Sequence, residues 1–134
     1  MAAFSNYMED AITEWINGSP FPTPAPTATF VQLYNQSPGD GGSLTGALYS
    51  RTSVASGGWT RGTGGAGSLS NTGIITITSS ASSAATATHF GVFDSSATSA
   101  NLIFYGQLTP SAGKVISVGD EVKFNALQLS LVVA

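Results

Sequence analysis

Four prolines occupy every second position of SPFPTPAPT, residues 19–27: Pro20, Pro22, Pro24 and Pro26. A prolyl residue has no backbone N–H and a fixed φ, so this segment can neither continue a helix nor pair inside a sheet. It favours an extended, polyproline-type backbone. The chain is therefore divided into an N-terminal part before residue 19, a stiff arm over 19–27, and a body from residue 28 to residue 134. The arm is a spacer or a docking arm that reaches a neighbouring subunit.

The N-terminal part reads as one short helix over residues 5–17. At 100° per residue Tyr7, Met8, Ala11, Ile12, Trp15 and Ile16 fall on one half of the circumference. Asn6, Glu9, Asp10, Thr13, Glu14 and Asn17 take the other half, which is the pattern of an amphipathic helix. Ser5 is placed to cap the start, with Glu9 and Asp10 near the positive end of the helix dipole. Gly18 is placed to end the helix in the left-handed conformation. Trp15 is too large to leave wet, so this face covers either the chain's own body or a partner.

Beyond residue 27 the periodicity changes to two. TATFVQLYN (27–35), LYSRTSV (48–54), GIITITS (73–79), ATHFGVFD (87–94), ANLIFYGQL (100–108) and EVKFNALQLSLVVA (121–134) read as strands. In the last of these, Leu127, Leu129, Leu131 and Val133 are expected on one face. SPGDGG (37–42), GGAGSLSNTG (64–73), DSSATSAN (94–101) and SVGDE (117–121) carry turn chemistry between them. No helical pattern separates the strands, so parallel crossovers are not expected. The fold class is mainly β: an antiparallel β-sandwich or barrel-like body with one short N-terminal amphipathic helix. Residues 55–72, ASGGWTRGTGGAGSLSNT, read as a long loop holding Trp59 and Arg61. Trp59 either folds back onto the body or inserts into a partner.

The residues argue against most chemistry. With 134 residues and 42% apolar composition the chain can bury a core. Only 8% of its residues are charged, about a third of the usual ~25% for soluble domains, which suits a surface that rests against neighbours. The net charge is −3 and the four cations, Arg51, Arg61, Lys114 and Lys123, form no run, so nucleic-acid binding is not expected. The chain has no Cys and one His, so neither disulfides nor an ordinary zinc site are expected. No apolar run approaches the roughly 18 residues of a membrane span. MAAFSNYMED lacks the basic and apolar regions of a secretory signal, which predicts synthesis in a cytoplasm.

His89 would need a nucleophile and a carboxylate converging on it to do triad chemistry. There is no G-x-S-x-G elbow, and Asp94 is expected on the far face of the strand from His89. Asp40, Asp94 and Asp120 sit in turns, where local hydrogen bonding favours Asp. GTGGAG (62–67) lacks the Lys-Ser or Lys-Thr of a phosphate loop. No catalytic, metal or cofactor-binding residue is singled out.

SNYMEDAITEWI, YSR, SNTGIITI, THFGVFD, ANLIFYGQLT and VGDEVKF, in this order, resemble a group of small tailed-bacteriophage proteins. Its members are described as tail-fibre-like, or as virion structural or head decoration proteins. The resemblance spans nearly the whole chain and rests on strands and turns rather than on a chemical motif. It implies a non-enzymatic, β-rich virion protein made in the host cytoplasm. The first expectation is a capsid decoration or cement protein on the outer surface of the assembled head. It would bind the major capsid protein and associate with itself as a homodimer or homotrimer. The alternative is a small tail-fibre or adhesion component contacting the host surface. A stand-alone carbohydrate-binding sandwich ranks last. The expected partner contacts are the helix face (Tyr7, Met8, Ile12, Trp15, Ile16), the arm (Phe21, Pro22, Pro24) and the glycine-rich segment (Trp59, Arg61).

Overall fold

The computed structural model describes residues 2–22, 24–62, 67–79, 83–109 and 113–132. The main sheet has five strands in the order β1-β9-β8-β2-β3, with every pairing antiparallel. These are β1 (Ala2–Phe4), β2 (Ala28–Tyr34), β3 (Ala47–Ala55), β8 (His89–Phe93) and β9 (Leu102–Gln107). The one helix among the described residues, α1 (Asn6–Ile16), follows β1 and contacts β1 and β9.

A second layer is divided into short ladders. Strand β6 (Ile75–Thr78) pairs with β11 (Glu121–Phe124), and β7 (Ala85–Ala87) pairs with β10 (Lys114–Ile116). The three-stranded ladder runs β12-β5-β4, from β12 (Ser130–Val132), β5 (Ser68–Asn71) and β4 (Trp59–Arg61). The core lies between the layers. Val31, Leu33, Phe90, Val92 and Phe104 of the main sheet meet Ile75, Ile77, Val122, Phe124 and Leu131 of the ladders. Phe104 takes Phe90 and Trp59 edge-on at 6.1 and 5.6 Å, the favourable geometry for aromatic quadrupoles.

The other face of the main sheet buries Tyr34, Phe93 and Leu102. Arg51 closes that side. It donates to the carbonyls of Ser95 and Ala97 at 3.0 and 2.8 Å while its guanidinium lies 3.7 Å from the Phe93 ring centre. Gly106 is where β1 comes close: an added Cβ would lie 3.0 Å from Ala2 and from the Phe90 ring.

The mainly β class with one short N-terminal helix is as the residues imply. Ile75 and Ile77 are buried with Thr76 and Thr78 turned outward, the alternation expected for GIITITS. Two expectations are corrected. Residues 55–72 contain two short strands, β4 and β5, rather than one long loop, because Trp59 finds Phe104 and β5 finds β12. The C-terminal segment is not one strand: Asn125–Gln128 form a turn between β11 and β12. Leu129 and Leu131 are buried as expected, but Leu127 sits in that turn with φ +70° and is exposed. Most of GTGGAG and the expected Val133 lie outside the described residues. Strand β1, only three residues long, was not foreseen.

Candidate functional site

The helix is anchored at its start. The Ser5 hydroxyl accepts from the Met8 amide at 3.3 Å and itself donates to the Leu102 carbonyl. The Ser5 and Asn6 amides donate to the carbonyls of Ile103 and Asp40, each at 3.0 Å. A capping residue thereby ties α1 to β9 and to the turn at Asp40. In the first turns Ala11 is buried and Tyr7, Met8 and Ile12 are half-buried.

The last turn leaves the body. Trp15 is 59% and Ile16 72% exposed, so their half of the apolar face does not pack on the chain's own core. The helix ends in a Schellman motif: Gly18 at φ +95° donates to the Trp15 carbonyl at 3.1 Å, and Ser19 donates to Glu14 at 3.0 Å. That reversal brings the arm back, so Phe21 meets Trp15 with ring centres 6.1 Å apart.

Phe21 also lines an apolar hollow of about 330 Å³. Tyr7 and Met8 come from the helix, Ile103 from β9, and Phe21, Pro24, Ala25 and Pro26 from the arm. The one carboxylate at its rim, Asp94, is engaged: both its oxygens accept from Asn101, each at 2.9 Å. The hollow and the exposed pair form one apolar corner. It brings together Tyr7, Met8, Trp15, Phe21 and Pro24 of the expected contacts, with Ile16 exposed at the same end of the helix. Ile12 is half-buried on the helix, and Pro22 is exposed on the arm. Sequence reasoning missed Ile103. Parity would not have found it, because β9 shifts register here and its neighbours Leu102 and Phe104 are buried on opposite faces of the sheet.

Trp59 and Arg61 do not join this corner. Trp59 folds back on the body, donating from Nε1 to Thr29 Oγ1 at 2.8 Å, while Arg61 stands exposed at the end of β4. Of the described residues, no three or more His, Cys, Asp or Glu group as a metal site. His89 Nδ1 shares a 2.8 Å hydrogen bond with Thr88 Oγ1, and burial pushes its imidazole below the usual value. No described residue forms an ion pair with it. No helix is long and apolar enough to cross a membrane among the described residues.

A family model described as podophage GP4 fiber I protein gp80 matches residues 3–132. The chain belongs to this family. The family consists of tailed-phage virion structural proteins of fibre type. The match runs from β1 to the end of β12, so both the sandwich and the apolar corner lie within it. No curated protein matches the chain.

Proposed function

We propose that the chain is a non-enzymatic fibre subunit of the phage virion, held in place through the apolar corner of α1 and the arm. One observation carries this reading: Trp15 and Ile16 project beside an apolar hollow with no core of their own to cover them. Covering each of those side chains would contribute about 1–3 kcal/mol. Salt would weaken such a contact little, because the described lining other than Asp94 carries no charge to screen.

The occupant that fits the corner is a second copy of the chain. The same patch carries an apolar knob, Trp15 and Ile16, and an apolar hollow. A patch that complements itself suits a two-fold contact, and the same knob and hollow joined head to tail close a three-fold ring. The other reading seats this corner on the major capsid protein, as a decoration protein on the outer capsid surface. The family description supports the fibre.

Position on the particle separates the two. Gold-labelled antibody against the chain, imaged on purified virions together with a copy count, is expected to mark the tail with few copies. Hundreds of copies spread over the head would overturn the fibre reading in favour of decoration.

A further inference from the structure

Strand β9 runs from Ile103 in the apolar corner to Gln107, ~13 Å away at ~3.3 Å per residue. At that second end lies a cavity of about 460 Å³, within the roughly 300–1,000 Å³ of small-molecule sites. Phe124 and Leu129 stand behind it, both buried, and the lining they leave is mostly polar. Its walls carry three carboxamides, Gln107, Asn125 and Gln128. Two of the chain's four cations, Lys114 and Lys123, also line it from different ladders.

These groups have unused capacity. Gln107 and Lys114 make no side-chain hydrogen bond or ion pair with any described residue. Gln128 Oε1 accepts from the Asn125 amide at 2.6 Å, which fixes the carboxamide and leaves its NH₂ available. Lys123 stands 3.7 Å from Glu121 in an exposed pair, and Lys114 has no acidic partner among the described residues. The turn carrying Asn125 and Gln128 is rigid, because the buried Asn71 side chain grips both of its ends.

A polar cavity walled by planar carboxamides, each able both to donate and to accept, suits a sugar ring, whose hydroxyls do the same. An ammonium with no acidic partner, Lys114, suits a carboxylate. No described Arg lines the cavity to take a phosphate bidentately, and a nucleic acid would call for clustered cations. We propose that this cavity binds an acidic saccharide, with the carboxamides on ring hydroxyls and Lys114 on the sugar carboxylate. The proposal goes beyond the structural role and does not depend on where the subunit sits in the virion.

The test is a titration of the isolated ¹⁵N-labelled protein with trigalacturonate, maltotriose and triglutamate, read by NMR. Trigalacturonate is expected to shift the side-chain amides of Gln107, Asn125 and Gln128 saturably, with a Kd near ~1 mM. Lys114→Gln, an exposed substitution, is expected to weaken it about tenfold, the loss of one charge-assisted contact. Gln107→Ala should weaken trigalacturonate as well. The proposal is overturned if trigalacturonate gives no saturable shift, or if Lys114→Gln leaves its affinity unchanged. Equal binding of maltotriose would remove the role of the carboxylate. Equal binding of triglutamate would make the site a carboxylate site with no preference for sugar.

Discussion

Asn71 and Leu129 hold each other twice. The Asn71 carboxamide oxygen accepts from the Leu129 amide at 2.9 Å, and the Asn71 amide donates to the Leu129 carbonyl at 3.2 Å. Asn71 Nδ2 then donates to Gly73 and Asn125 carbonyls at 2.8 and 2.9 Å. One fully buried side chain thus sets the turn between β11 and β12, while the main-chain carbonyl of Asn71 accepts from the left-handed Leu127 at 2.9 Å.

Replacing Asn71 strands these partners. Each buried donor or acceptor left without a bond costs ~1–3 kcal/mol. Asn71→Ala is expected to lose at least about 2 kcal/mol of stability in urea unfolding. A loss within ~0.5 kcal/mol, the range of ordinary surface changes, would show that water replaces the lost bonds.

Gly106 fixes the seat of the N-terminal strand. A Cβ there meets both Ala2 and Phe90 at 3.0 Å, so Gly106→Val should push β1 off β9. Hydrogen exchange is expected to rise at residues 2–5 and in the first turn of α1, with a stability loss of about 1–3 kcal/mol. Unchanged protection of those amides would mean that β1 can shift to admit the side chain.

The two tryptophans should respond oppositely. Trp59 is hydrogen-bonded to Thr29 and packed on Phe104, so Trp59→Ala is expected to destabilise the isolated chain by about 2 kcal/mol or more. Trp15 touches Phe21 but leaves most of its surface to solvent, so Trp15→Ala should change stability by no more than ~0.5 kcal/mol while weakening self-association. Denaturation curves and sedimentation read the two effects. A Trp15→Ala chain as unstable as Trp59→Ala would make Trp15 part of the core.

Tyr105 reports on the turn beside the helix. Its hydroxyl donates to the Asp40 carboxylate, and this bond, then burial and the negative charges of Asp40 and Glu9, push its phenol up to about 12. The unfolded value is near 10, so the folded value is raised. The contribution is complete below pH ~10 and is lost as pH rises through about 12. Asp40→Asn should return the phenolate absorbance midpoint of Tyr105 toward 10; an unchanged midpoint would mean that Asp40 does not hold the phenol.

The helix was legible because its signals are local: the 3.6-residue pattern, Ser5 at one end and Gly18 at the other. GIITITS was legible for the same reason, since its alternation is the packing itself. Strands β4 and β5 were hidden because each is only three or four residues long and set among glycines, too short for alternation to stand out. Their pairing is specified from afar, by Phe104 and by β12. The period-two run through Leu127, Leu129 and Leu131 misled at its first member, where Asn71, distant in sequence, imposes a turn. The apolar corner was half legible. The apolar residues of α1 mark a face that must be covered, but only the structure shows that it leaves the body at Trp15.

The most direct test of the account is the incorporation of the Trp15→Ala chain into virions, counted against wild type after growth on the same host. The chain is expected to fold and to be largely missing from purified particles, because its corner no longer holds it. Incorporation at the wild-type copy number would contradict the claim that this corner is how the subunit is held in the virion.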